Sequence, residues 1–150
     1  MTLQGLFFVI LQLILLLVFA AIPGGHAASF AFQTTAFILV TAGTLIISMG
    51  LFRLGAHFTP LPHPRKAGKL LTTGIYKWVR HPLYTGLFLI TTGIALYSLN
   101  IPRGIITLVL LLVLYFKSQY EERLLHEKFP EYAFYKLKTG RFFPKLFHRN

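Results

Sequence analysis

Residues Leu3 to Ile22 form an uncharged apolar run of 20 residues whose polar members are Gln4 and Gln12. As a helix rising about 1.5 Å per residue, such a run crosses a hydrocarbon core of about 30 Å. A second run, Phe30 to Phe52, follows the helix-breaking Pro23-Gly24-Gly25 and ends before Arg53. Leu83 to Leu99 is shorter, at 17 residues, and carries Gly86, Gly93, Thr85, Thr91 and Thr92, which let helices approach closely. Asn100-Ile101-Pro102-Arg103-Gly104 reads as a tight turn, after which a fourth span begins at Ile105 and continues as helix through Lys128.

The expected fold is all-α, a polytopic membrane helical bundle. Its about four spans fall near 3–22, 30–52, 83–99 and 105–120, within a single domain over 1–150 whose segment 121–150 lies outside the bilayer. A cleaved signal peptide competes for the first run, because His26-Ala27-Ala28-Ser29 is rich in small residues, but no Lys or Arg precedes it. The connection 53–82 contains Pro60, Pro62, Pro64 and Gly68 and is not one continuous helix.

Charge sets the expected orientation. Six Lys and Arg lie in the connection 53–82 and eight from Lys117 onward, against one in the turn 100–104 and none in 23–29. The positive-inside rule then puts both termini and the 53–82 connection in the cytoplasm, with a prokaryotic inner membrane as the simplest setting. A formal charge of +11 also suits a nucleic-acid partner, but with 55% hydrophobic residues and a mean hydropathy of +0.63 it fits membrane lipids instead. The protein has no cysteine, so disulfides, thiolate metal sites and a thiol nucleophile are excluded.

The polar stretch Leu71 to Gly86, LTTGIYKWVRHPLYTG, ends in Arg80-His81-Pro82-x-Tyr84-x-Gly86 where the third apolar run starts. All four acidic residues, Glu121, Glu122, Glu127 and Glu131, follow the last run. Lys117 and Glu121 share a helix face at i,i+4. That pairing alone explains a solvated helix end, but carboxylates at the hydrocarbon boundary are costly without a partner or ligand. His57, His63 and His81 have no metal-binding spacing, and no metal site is expected. Tyr76, Trp78 and Tyr84 suit interfacial aromatics. The tail with Lys136, Lys138, Arg141, Phe142, Phe143, Lys145 and Phe147 suits a segment lying on anionic lipid, as a lid or anchor.

The block T-T-G-I-Y-x-W-V-R-H-P-L-Y-x-G (Thr72 to Gly86), followed by E-E-R-L-L-x-E-K-F-P-E-Y-x-x-Y (Glu121 to Tyr135) and Arg141-x-x-Pro144, resembles the integral-membrane methyltransferases of the isoprenylcysteine carboxyl methyltransferase and phospholipid methyltransferase group. The resemblance covers about residues 53–147. It implies S-adenosylmethionine as cofactor at the cytoplasmic face. The family's cofactor contacts then fall on Gly68, Lys69, Leu70, Leu71, Tyr76, His81, Pro82, Leu83, Tyr84 and Glu121, with Glu122 beside it. Arg80 and Lys117 are expected at the reacting end, holding anionic groups of cofactor or substrate. The prenylcysteine enzymes have arginine at the position of Lys117, so a point charge replaces a bidentate fork.

The resemblance implies methyl transfer to an amphiphile: a lipid or prenyl carboxylate, a lipid amine, or a thiol. Two other readings stay open. Membrane sterol and enone reductases are similar in their C-terminal halves and use NADPH, and a small lipid-binding protein needs no catalysis at all.

Overall fold

A computed structural model describes residues 3–25, 29–55 and 70–145. Gly68 and Lys69, together with His57 and His63, lie outside the described residues. Among the described residues five helices carry the fold: α1 (Leu3–Ala21), α2 (Phe30–Leu54), α3 (Pro82–Ser98), α4 (Ile101–Lys128) and α5 (Tyr132–Lys138). A 3-10 turn, Gly74–Lys77, precedes α3. Among the described residues the architecture is all-α, with one isolated parallel bridge between Val79 and Gly140.

The helices α1, α2 and α4 are long and apolar enough to cross a membrane, and α3 is a shorter apolar helix of 17 residues. Their outer faces are apolar: Leu17, Phe37, Ile38, Leu108 and Leu112 are all exposed. A soluble bundle would bury such side chains, whereas in a bilayer they meet acyl chains at no cost. The molecule is a helical membrane bundle.

Packing orders the helices α1, α4, α3, α2, since α1 packs on α4, α4 on α3, and α3 most extensively on α2. The α2–α3 contact is backbone to backbone. A Cβ on Gly43 would lie 2.6 Å from the Gly86 carbonyl oxygen, and one on Gly86 would lie 2.5 Å from that of Gly43. At one end of the bundle Arg103 Nη2 donates to the Ile22 carbonyl at 2.7 Å, and Asn100 Nδ2 donates to that of Pro23 at 3.2 Å. The opposite end gathers the start of α3, the end of α4, the 3-10 turn and α5.

The expected turn at 100–104 is not a turn. Leu99, at φ 42°, closes α3 in the left-handed region, and α4 begins at Ile101. Asn100 Oδ1 accepts from the Arg103 amide at 3.1 Å, a side-chain N-cap. Pro102 sits in the first turn, where an amide has no helical partner to lose.

Candidate active site

Pro82 fixes the start of α3 and leaves His81 just outside it, with φ −124° and ψ 62°. This ψ falls short of the extended value expected before proline. The His81 carbonyl caps the helix by accepting from the amides of Tyr84 and Thr85, each at 3.1 Å. Its ring is buried and turned toward α4.

Beyond α5 the polypeptide returns to this segment. The Arg80 amide donates to the Gly140 carbonyl at 2.9 Å, His81 to that of Arg141 at 3.1 Å, and Gly140 to that of Trp78 at 3.2 Å. Thr85 Oγ1 donates to the Phe142 carbonyl at 2.7 Å. Residues 139–142 therefore form a clasp over 78–81. The turn that follows is tight, and a side chain at Gly140 would collide with the Phe143 carbonyl.

Two adjacent carboxylates beyond the apolar part of α4 meet this assembly differently. Glu122 is an ion-pair hub: Arg80 Nε lies 2.9 Å and His81 Nε2 3.3 Å from its Oε1, and Arg141 Nη2 and Lys136 Nζ each lie 3.2 Å from its Oε2. Glu121 points about 100° round the helix. There it accepts from Tyr84 Oη at 2.5 Å and lies 3.4 Å from His81 Nδ1. The Glu122 side chain is 3% exposed and that of Glu121 16%, so Glu121 retains access and free acceptor capacity.

His81 thus bridges the two carboxylates. Burial alone would lower its pKa, but hydrogen bonds to Glu121 and Glu122, and their charges, outweigh burial and raise it. Burial alone would raise Glu122, but the bond from His81 and the charge and bond of Arg80 pull its carboxyl well below the usual carboxylate range. Burial, with Tyr135 and Glu121 nearby, pushes the Tyr76 phenol above its ordinary range.

Around Glu121 an aromatic and cationic set closes. Tyr84 stacks on His81 with the rings 2° from parallel and centroids 5.4 Å apart. Lys117 Nζ lies 5.1 Å from the Tyr84 ring and donates to Gln12 Oε1 at 2.8 Å. The Tyr76 carbonyl is held by Tyr135 Oη at 2.6 Å.

Of the residues singled out by sequence, Tyr76, His81, Tyr84, Lys117 and Glu121 come together. Arg80 and Glu122 meet on the clasp side, where Arg80 Nη1 also donates to the carbonyls of Lys136 and Thr139. Pro82 and Leu83 face Gly50 of α2, within 3.3 and 3.7 Å of where its Cβ would stand. Leu70 and Leu71 are half-buried at the edge of the described segment. Sequence reasoning missed Gln12 as the partner of Lys117, and Lys136, Thr139 and Arg141 as partners of Arg80 and Glu122. An amide midway along an uncharged run was the available signal for Gln12. Arg141-x-x-Pro144 was the signal for the clasp.

A family model described as phospholipid methyltransferase matches residues 32–132. A nickel-cobalt-cadmium resistance protein, NccN, of Alcaligenes xylosoxydans xylosoxydans is 38% identical over 88 residues, which are 55% of this chain and 39% of that protein. A protein-S-isoprenylcysteine O-methyltransferase of Saccharomyces cerevisiae is 32% identical over 108 residues, which are 69% of this chain and 45% of that protein. The chain spans less than half the length of either relative.

Proposed function

The chain belongs to the phospholipid methyltransferase family, and from that premise we propose that it transfers a methyl group from S-adenosylmethionine to an amphiphile at the cytoplasmic membrane face. The acceptor class is a lipid or prenyl carboxylate, a lipid amine, or a thiol. In this reading the protein is a multi-pass membrane protein with both termini in the cytoplasm.

The observation that carries the proposal is Glu121. It is an accessible carboxylate within an otherwise buried cluster, with Tyr84 and His81 fixing its orientation. A cofactor with an ammonium group and ribose hydroxyls needs such an acceptor, and the neighbouring Tyr76 and Tyr84 suit its adenosine or sulfonium end. When bound, the cofactor supplies an electrophilic methyl group on a sulfonium. Methyl transfer is mainly a matter of alignment, and the helices supply it. Lys117, held by Gln12, presents a cation to the acceptor's anionic group, and the clasp keeps His81 and Tyr84 in register with Glu121. An anionic acceptor needs no general base, and none is assigned. Arg80 and Glu122 act indirectly, by fixing the clasp.

Calorimetry on the detergent-solubilised protein tests this, with S-adenosylmethionine, S-adenosylhomocysteine and NADPH as ligands and Glu121→Gln as the variant. Both adenosyl ligands are expected to bind, and loss of a charge-assisted bond costs about 1.5 to 3 kcal/mol. Binding of NADPH alone, or unchanged cofactor affinity in Glu121→Gln, would overturn the assignment.

A further inference from the structure

We propose that the cationic groove between α5, the clasp and α4 binds the phosphate of an anionic membrane phospholipid. This site is distinct from the Glu121 cluster, and the proposal does not rest on methyl transfer. Arg80, Lys136, Arg141 and Lys145 converge on a cavity of about 420 Å³. Glu122, the carboxylate behind them, already divides its two oxygens among Arg80, His81, Lys136 and Arg141. Four permanent cations against one carboxylate leave a positive excess with no counter-charge in the cavity lining. Arg141 Nη1 is buried and has no hydrogen-bond partner among the described residues.

The position on α4 separates this groove from the methyl-transfer cluster. Gln119, Glu122, Arg123, His126 and Glu127 line an adjoining cavity that shares Lys136 and Arg141, so the further carboxylate, Glu127, lies on that side with Arg123 and not in the groove lining. Lys117 and Glu121 instead turn toward Tyr84 on another face of the same helix. A tetrahedral phosphate suits the donors present, since it can accept from an arginine fork and from lysine point charges together.

Depth and surroundings favour a lipid as the source of that phosphate. The Arg141 guanidinium lies 4.8 Å from the ring of Tyr115, in the apolar part of α4, so the cations of the groove adjoin the run long and apolar enough to cross a membrane. Leu137 lines it and is 70% exposed, and Phe134, next to the lining residue Ala133 in the chain, and Phe143, two residues after Arg141, are exposed as well. Apolar side chains beside clustered cations are what an interfacial segment uses to hold an acidic lipid.

Native mass spectrometry of the full-length protein, released from maltoside micelles, tests the proposal with phosphatidylglycerol against a phosphate-free galactosyl diacylglycerol. The wild type is expected to retain phosphatidylglycerol preferentially. At about one lysine's surface contribution each, Lys145→Gln should weaken retention about fivefold and the pair Lys136→Gln with Lys145→Gln about thirtyfold. The Arg counterparts at both positions should retain it. Lys145 Nζ donates to the carbonyls of Lys136 and Leu137 and lies outside the Glu122 ion pairs, so its single variant leaves that hub intact. Equal retention of the two lipids, unchanged retention in Lys145→Gln, or displacement of the lipid by inorganic phosphate would overturn the proposal, the last by making the ligand a soluble anion.

Discussion

Lys117 Nζ donates to Gln12 Oε1 at 2.8 Å, tying the middle of α4 to the middle of α1. Lysine inside a bundle is costly unless it has a partner or a task, and here the bonded partner is neutral. Gln12→Leu removes a hydrogen bond to a charged group, a loss of about 1.5 to 3 kcal/mol. Thermal unfolding in detergent should register it. On the proposed function, the KM for the acceptor rises while S-adenosylmethionine affinity holds, because Gln12 orients Lys117 and does not touch Glu121.

The two glutamates should separate by assay. Glu122→Gln leaves Arg80, Arg141 and His81 without the carboxylate that balances them, and breaking one side of a buried pair costs about 3 to 5 kcal/mol. Unfolding in mixed micelles should shift, and trypsin should cut faster after Lys136, Lys138 and Arg141 as the clasp loosens. Glu121→Gln should leave both readouts close to wild type.

The clasp should weaken toward alkaline pH. A histidine whose folded pKa is raised contributes stability that is fully present below about 6.5 and lost as pH rises through the folded value. Glu122 is lowered, so its contribution is present above about 4.5 and lost only as pH falls through its much lower folded value. Protection of the C-terminal segment from protease should therefore be greatest between about pH 5 and 6.5 and decline on the alkaline side. His81→Gln should flatten that decline.

Gly86 ends the Arg-His-Pro motif, yet its place is in the α2–α3 seam. Gly86→Ala puts a methyl group 2.5 Å from the Gly43 carbonyl oxygen and from Ile47 Cγ1. Overpacking of this kind costs about 1 to 3 kcal/mol. The expected result is a lowered Tm with the protein still able to bind cofactor once folded at low temperature.

The fold was largely legible because apolar runs of this length leave few alternatives, and α1 and α2 end within two residues of the expected bounds. The start of α4 was not, because Pro102 and Gly104 favour a turn locally. Asn100, a strong N-cap residue, was the countervailing signal. His81, Tyr84 and Glu121 were visible as a motif and an acid cluster on the same side. The different surroundings of Glu121 and Glu122 were not, since neighbouring residues on a helix diverge by about 100° and only the returning segment decides which one it covers. The cations of the tail fit a lipid surface by composition; Arg141-x-x-Pro144 marked the segment, but neither its composition nor its spacing says that Arg141 pairs with Glu122 or that residues 139–142 return to 78–81.

The contact between α2 and α3 also limits traffic. With the Gly43 and Gly86 backbones touching, and a Cβ on Gly93 only 2.9 Å from the Ala36 carbonyl oxygen, no acyl or prenyl tail passes between these helices along that stretch. An amphiphile of the proposed kind must bring its tail in from another quarter. Lys117, the cation offered to such an acceptor, is bonded to α1 and not to α2, so the quarter that matters is the α1 side of α4, where Gln12 stands beside it.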